Sequence, residues 1–296
     1  MTAPASASNP APTNTAALVQ QAIKKVSGIA TLPEITVRIL KTVEDPRSTA
    51  AQLHAIVSHD PALVTRILKV VNSSFYGLPG QVASVERAIV ILGLNAIKNI
   101  AVASGVGQLF KGGLCEGFTA KDLWTHCVAV GVAARELARQ MKMPIADEAF
   151  LAGMIHDIGM LVELQNTPEP LRSVCEKAKT DPRPFCEIER ELLAGLDHQL
   201  LGQGLAEQWK FPRSCQLVAG YHHRPTELSG DRVLVNLVHV ADTICCQAGI
   251  GFNLTAIHQQ LDFTVAAELK LSATLIEQVK QALPTLLTGA TAALAA

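Results

Sequence analysis

The sequence predicts an all-α protein of two lobes, an N-terminal multi-helix lobe packed on a C-terminal helical bundle. Three observations carry that reading. Apolar residues recur at helical spacing along most of the 296 residues, and no alternating apolar–polar stretch runs beyond a few positions. Short helices marked by capping and proline signals occupy the first third, and longer ones follow a Gly-rich interval from Lys111 to Gly117. A composition of 49% apolar against 17% charged residues supplies a sizeable core, which 4% aromatics (eight Phe, two Trp, two Tyr) require to be aliphatic.

The elements follow in order. Residues 1–27, beginning MTAPASASNPAPTNT, have the Ala/Pro/Ser/Asn/Thr content of a disordered tail. The first lobe is expected over 28–112. Thr31-Leu32-Pro33-Glu34 has the spacing of a capping box and opens a helix with Ile35, Ile39 and Leu40 on one face, stopped by Asp45-Pro46. Thr49-Ala50-Ala51-Gln52 opens a second helix, through Val57. In the third, Asp60 is the N-cap, Pro61 stands at the first helical position, and Leu63, Ile67, Leu68 and Val71 form the buried stripe. Asn72 to Gly80 (NSSFYGLPG) is a loop by composition, and Ser84 caps a helix over 85–92 that Gly93 ends. The second lobe, 113–285, carries expected helices at 122–141, 147–164, 185–193, 198–209, 213–222 and 232–248, interrupted in the middle by Pro168, Pro170, Pro182 and Pro184. Residues 286–296 read as a flexible tail.

Composition also excludes function classes. Lys+Arg minus Asp+Glu is 25 − 26 = −1, which argues against a general binder of nucleic acid or anionic membranes. No stretch approaches the roughly 18 uncharged apolar residues of a membrane span; the longest, Asn99 to Phe110, is bracketed by Lys98 and Lys111. Seven cysteines without a CxxC pair suggest neither a disulfide framework nor a thiolate zinc site. The N-terminus has no secretory signal, so a cytoplasmic location is expected.

Histidines carry the chemistry. His156-Asp157 lies in the middle of the apolar run Ala-Gly-Met-Ile-His-Asp-Ile-Gly-Met. An imidazole and a carboxylate there are costly to bury unless paired or bound to a cation. A divalent metal would take both as ligands, and the two Asp oxygens could bridge two ions. A buried His–Asp hydrogen bond that only fixes the helix explains the pair equally well. Further candidates are His126, His198, His222-His223 and Asp242, and together they give a series dispersed over five expected helices. Facing helices of a bundle build metal sites from such dispersed ligands. Asp122, one turn before His126, reads as a solvated helix-start carboxylate that could extend the set. His239 stands one turn before Asp242 and reads as its support or as a packed residue. His54, His59 and His258 read as surface or capping residues, and Cys245-Cys246 as core.

The order His126, His156-Asp157, Asp242 resembles the HD superfamily of metal-dependent phosphohydrolases, with His156-Asp-Ile-Gly159 matching the HDIG form of its central motif. The first lobe resembles the HDOD domain, the HD-related output domain of bacterial signalling proteins. The matching residues are Leu32-Pro33-Glu34, Asp60-Pro61-Ala62-Leu63, Val71-Asn72-Ser73-Ser74-Phe75-Tyr76-Gly77, Ser84-Val85 with Ala88-Ile89, and Leu92-Gly93-Leu94. The resemblance spans about Ile29 to Asp242.

It implies a metal held by His126, His156, Asp157 and Asp242. By likeness to the HD-GYP phosphodiesterases of cyclic di-GMP, it implies a second metal at His198, His222 and His223. The expected cofactor is iron, manganese or zinc, as one or two ions clamping the oxygens of a displacement at phosphorus. Two departures matter. Met160 stands where those phosphodiesterases carry a Lys and cannot stabilise developing charge, and Arg224 to Gly230 contains no GYP segment. HDOD domains are regarded as lacking demonstrated hydrolase activity.

The favoured reading is therefore a signal-transduction module acting through protein or ligand binding, with signalling proteins or a nucleotide second messenger as partners. The alternative is a metal-dependent phosphohydrolase or phosphodiesterase acting on a nucleotide or cyclic dinucleotide, in which Asp157 is the residue to carry the chemistry. Arg224 or Lys98 reaching the metal would favour that alternative. Outside the metal set, the Asn72–Gly80 loop offers Phe75 and Tyr76 as contact residues, or Phe75 as a plug between lobes. The first lobe is expected to narrow access to the metal pocket, and an input signal to arrive by ligand, partner or metal.

Overall fold

In the computed structural model, which describes residues 12–26, 32–45 and 47–294, helices occupy nearly the whole chain. The first correction comes at once. Where a disordered tail was expected, Pro12–Lys25 forms helix α1, with Val19, Ala22 and Ile23 buried. Polar residues make up half of the segment, but these three share one face and find a partner later in the chain. Residues 1–11, Thr31 of the expected capping box and Pro46 lie outside the described residues.

The first lobe follows three of its four capping signals. Helix α2, Glu34–Glu44, departs from the expected capping box: it starts at Glu34, with Pro33 as N-cap and no side-chain cap. Helix α3, Ala50–Val57, opens with a reciprocal capping box: the Thr49 amide donates to Gln52 Oε1 at 2.8 Å and the Gln52 amide to Thr49 Oγ1 at 3.3 Å. Asp60 accepts from the Leu63 amide at the start of α4, Pro61–Val71, and Ser84 from the Arg87 amide at the start of α5, Val85–Leu92. Helix α6, Leu94–Val106, is the element the sequence concealed. Gly93 precedes it without a side-chain cap, and nearly every residue after Asn95 is buried, so neither a cap nor an apolar stripe marks it.

The Gly-rich interval forms a two-stranded hairpin, β1 (Gly113–Cys115) with β2 (Phe118–Thr119). Beyond it come α7 (Ala120–Gln140), α8 (Ala146–Ile155), α9 (Gly159–Asn166), α10 (Pro168–Ala178) and α11 (Phe185–Leu192). Then follow α12 (His198–Gln208), α13 (Arg213–Tyr221), α14 (Val233–Gln247), α15 (Phe263–Leu269) and α16 (Ala273–Leu294). Two further expectations fail here. The single helix at 147–164 is two, α8 and α9, separated by a turn at His156–Ile158. Pro168 does not break the lobe but opens α10, where its missing N–H costs nothing. The expected flexible tail is helical to Leu294, with Ala290 and Leu294 buried.

The lobes share one continuous core. Helices α7 and α8 form its centre and touch at Gly131 and Gly153, where a Cβ on Gly153 would lie 2.7 Å from Gly131 Cα. Helix α6 packs on α8, and Asn99 Nδ2 donates to the Asp147 carbonyl at 2.8 Å. Phe75 of the NSSFYG loop is the plug: it is buried against Phe150 of α8 at 5.1 Å, and the Arg135 guanidinium lies 4.6 Å from its ring and 4.5 Å from that of Tyr76. Helix α16 spans both lobes by packing on α4 and α7, and α1 packs on α12, where Gly204 lets Val19 and Ile23 approach. No helix among the described residues is long and apolar enough to cross a membrane.

Helix α1 makes a sharp test. Ile23 is fully buried, so Ile23→Ala is expected to lower unfolding free energy by about 2–4 kcal/mol in urea titrations. A change within ~0.5 kcal/mol, the value for an unpacked surface position, would show that the segment is a tail after all.

Candidate metal centre

The turn at His156–Ile158 sets up the site. In an unbroken helix, adjacent residues point about 100° apart and cannot converge on one point. Breaking the helix there lets His156 and Asp157 face inward together, with Met160 N–H bonded to the Asp157 carbonyl at 3.0 Å as α9 begins. Gly159 makes the next helix possible at this position. A Cβ on it would fall on the backbone carbonyl of His198, so α9 and α12 meet backbone to backbone.

Five further residues join His156 and Asp157: His126 from α7, His198 from α12, His222 and His223 from the end of α13, and Asp242 from α14, which brings the second carboxylate. The two oxygens of Asp157 face different pairs of imidazoles. Oδ2 lies 3.4 Å from His156 Nε2 and 3.9 Å from His126 Nε2, whereas Oδ1 lies 3.3 Å from His222 Nε2 and 3.5 Å from His198 Nε2. Asp242 Oδ1 is 3.1 Å from His126 Nε2 and 3.9 Å from His156 Nε2, and its Oδ2 is 3.6 Å from His223 Nδ1. His198 and His222 approach each other at 3.4 Å. All seven side chains sequence reading singled out are thus brought together, and the side chains of six of them are completely buried.

Whether these residues fit a metal is decided by what the buried atoms lack. His126 Nδ1 and Nε2, His156 Nε2, both Asp157 oxygens, Asp242 Oδ2 and His223 Nε2 are buried without a hydrogen-bond partner. Each unsatisfied polar group costs about 1–3 kcal/mol, and a buried ionised carboxylate costs more. Two ligand atoms each about 2.1 Å from one ion, at tetrahedral or octahedral angles, stand about 3.0–3.4 Å apart. The observed separations run from 3.1 to 3.9 Å. The arrangement fits divalent cations: two groups of ligand atoms, His126 with His156 and His198 with His222 and His223, share Asp157, and a third joins His126, Asp242 and Cys246.

The outer atoms of the rings are fixed for the same purpose. His156 Nδ1 donates to the Gly153 carbonyl at 2.7 Å, His222 Nδ1 to Val218 O at 3.0 Å, and His198 Nδ1 to Glu189 at 2.7 Å, which leaves each Nε2 lone pair facing inward. Titration behaviour agrees for the carboxylates and for His222 and His223 but not for His156, where burial works to lower the imidazole and Asp157, Asp242 and the Gly153 carbonyl outweigh it and raise it. Burial works to raise the Asp157 carboxyl, but His156, His222 and His198 outweigh it and hold it well below the usual carboxylate range. The same opposition, with His126, His223 and His156 winning over burial, keeps Asp242 low. Burial pushes His222 and His223 below the usual imidazole value, so both stay neutral at pH 7. Ionised carboxylates and neutral imidazoles are the forms that bind metal.

Other candidates are placed elsewhere. Asp122 does not extend the ligand set: it closes the capping box of α7 with Thr119. Lys98 donates to the Thr42 carbonyl and Ser48 Oγ, away from the site, and Met160 is core. Arg224 pairs with Asp197 at 3.5 Å and Glu227 at 3.8 Å. His239 Nδ1 donates to the His222 carbonyl at 2.8 Å and so steadies the end of α13. His54 pairs with Glu86 at 2.7 Å at the surface, His59 and His258 are exposed, and Cys245 and Cys246 are buried.

Sequence reading missed two supports. Glu189 carries the His198 ring and is itself wholly buried; its signal was its position on the face of Phe185 and Ile188, where a carboxylate needs a partner. Gln259, which accepts from His223 Nδ1 at 2.8 Å, lies in a loop and had no signal.

A cavity of about 360 Å³ adjoins the centre at His223, lined by Arg183, Arg190, Arg224, Phe185 and Gln259 among residues of 178–260. The first lobe therefore packs on the bundle but does not wall this approach, contrary to expectation.

A family model of the HDOD domain matches residues 29–225. The chain belongs to the HDOD domain family. Its fold superposes with a TM-score of 0.73 on an HDOD domain protein of unknown function from Geobacter sulfurreducens, at 21% identity over 93% of this chain and 98% of that one. A candidate phosphohydrolase from Shewanella amazonensis SB2B gives the same score at 24% identity, over 92% of this chain and 97% of its own. An uncharacterized protein of Treponema pallidum (strain Nichols) is 25% identical over 213 residues, which are 71% of this chain and 40% of that longer relative.

Because Glu189 orients His198, Glu189→Ala is expected to weaken manganese(II) binding in calorimetric titrations by about 10–100-fold. Glu187→Ala, on the opposite, exposed face of α11, is the control and should leave it unchanged.

Proposed function

We propose that this chain is a regulatory HDOD module built around a buried divalent-metal centre. One ion would be held by His126, His156, Asp157 and Asp242, the other by Asp157, His198, His222 and His223. The observation that carries this reading is the Asp157 carboxylate, whose two unpartnered oxygens face separate imidazole pairs. Imidazole and carboxylate ligands suit iron, manganese or zinc. The metals would supply charge neutralisation at the point where α7, α12, α13 and α14 meet, so their loading sets how those helices pack.

Burial supports regulation over turnover. Only His223 among the candidate ligands lines the adjoining cavity, and Met160 leaves no cationic group of α9 beside it. Signalling proteins, or a nucleotide second messenger reaching the arginine-lined cavity, fit as partners. Seven unpaired thiols suit a reducing, cytoplasmic setting. One observation favours the second reading, phosphohydrolase action on a nucleotide: Arg183, Arg190 and Arg224 all line the cavity that ends at His223 and could hold a phosphate there.

Elemental analysis of the purified full chain is expected to find about two equivalents of metal, given the two ligand groups that share Asp157. The double variant His156→Ala/Asp157→Ala should lose both, and His198→Ala about one. Metal-free wild type after anaerobic purification would overturn the proposal. On the metal-loaded protein, bis(p-nitrophenyl) phosphate should show no turnover above the Asp157→Asn variant; turnover abolished by that substitution would instead establish the phosphohydrolase.

A further inference from the structure

A second cavity, of about 530 Å³, lies where the two lobes meet and shares no lining residue with the one at His223. Arg66 of α4, Ser104 of α6, the turn after α6, helix α7 and the end of α16 enclose it. Helix α7 contributes Lys121, Trp124, Thr125 and Val128, a stripe at i, i+3, i+4 and i+7 that leaves His126 on another face. Trp124 forms an aromatic wall with Phe110, their ring centroids 4.9 Å apart. The indole can lie there because residue 107 is glycine: a Cβ on it would fall 2.5 Å from the indole Cζ2.

The charge of this cavity is one-sided. Arg66, Lys111 and Lys121 line it and no carboxylate does, in a chain whose net charge is −1. Lys111 and Lys121 are exposed, and neither forms an ion pair among the described residues. Arg66 is held in place more than it is neutralised. Its side chain is 12% exposed, its Nε is buried without a partner, and its ion pair with Asp60 spans 3.9 Å. Gln108, with its amide oxygen turned to the guanidinium, accepts from Nη2 at 2.8 Å. The arginines of the cavity at His223 differ: Arg183 pairs with Asp181 and Glu191, and Arg190 and Arg224 pair with Asp197. A cleft lined by one sign of charge concentrates ions of the other.

We propose that this second cavity binds a phosphate-bearing ligand with a planar ring, of the nucleotide class. Its phosphates would meet Arg66, Lys111 and Lys121, and its ring the wall of Trp124 and Phe110. Three cations suit a ligand with several negative charges, and guanidinium and ammonium groups both bind phosphate. The aromatic wall offers stacking surface that a bare phosphate would not use. The volume falls within the range of about 300–1,000 Å³ typical of small-molecule sites. Such a ligand would touch α4 and α6 of the first lobe, α7 of the second, and α16, which packs on both α4 and α7. It would tie the lobes together on the helix that carries His126. The site rests on these residues and not on the metal reading.

Trp124 itself reports occupancy. The chain has two tryptophans, so in Trp209→Phe the indole emission comes from Trp124 alone. Each of the four ribonucleoside triphosphates is titrated into this full-length variant, and at least one is expected to quench the emission saturably. Calorimetric titration of the unsubstituted chain should give the same affinity, which keeps the result independent of that substitution. Adding Lys111→Glu and Lys121→Glu, at two exposed positions, should weaken binding by about tenfold or more. Arg183→Ala, in the other cavity, should leave the quench unchanged. The matching nucleoside and inorganic triphosphate, each lacking half of the ligand, should each bind at least about tenfold more weakly than the nucleotide. The proposal is overturned if none of the four quenches saturably, if the quench survives the double charge reversal, or if Arg183→Ala abolishes it. It is overturned equally if inorganic triphosphate or the nucleoside binds as tightly as the nucleotide.

Discussion

Two carboxylates buried among five imidazoles are the constraint on which the rest of the structure turns. Asp157 and Asp242 are wholly removed from water, and no Lys or Arg pairs with either in the described residues. Leaving an ionised carboxylate in that state costs several kcal/mol unless something compensates it. Local structure is arranged to bring the compensating groups in: the helix breaks at His156–Ile158, Gly159 lets α9 meet the backbone of α12, and Gly251, at φ 65°, lets the chain after α14 lie against the backbone of His126. None of these features contributes burial on its own. They make sense as the geometry that converges seven side chains on one buried cluster.

Support continues one layer out. Behind His198 stands Glu189, and behind Glu189 stands Glu163, also buried. Burial and Asp197 push the Glu189 carboxyl well above its usual range, and burial and Glu189 do the same to Glu163. Like charges crowded in an apolar interior favour keeping one proton between them. The cationic partners stay outside this layer: Arg190 reaches Asp197 at 2.7 Å and Arg224 at 3.5 Å. The cavity at His223 is thus bordered by two arginines, Arg190 and Arg224, already engaged with the buried carboxylate of Asp197.

Much of this was legible before any coordinates. The capping boxes and N-caps of α3, α4, α5 announced themselves because Ser, Thr and Asp at those positions have few other uses. The seven candidate ligands were visible as polar residues stranded in apolar runs. Concealed were the elements whose identity depends on neighbours. Helix α1 looks like a tail because its buried face is three residues wide, α6 because burial on all sides erases periodicity, and α16 because small residues near its end lack a strong pattern. The break between α8 and α9 was hidden for a different reason. Its sequence, Met-Ile-His-Asp-Ile-Gly-Met, has no proline and a helical apolar rhythm, and only the demand that both polar side chains face one point interrupts it. Glu189 was missed because a Glu on an amphipathic helix is usually solvated.

The most direct test of the central claim is anomalous diffraction from crystals of the purified protein, recorded across the iron, manganese and zinc edges. The account predicts two anomalous peaks on either side of the Asp157 carboxylate, one beside His126 and His156 and the other beside His198 and His222. Density at those places without an anomalous signal at any edge would mean that water and protons hold the carboxylates, and would contradict the account.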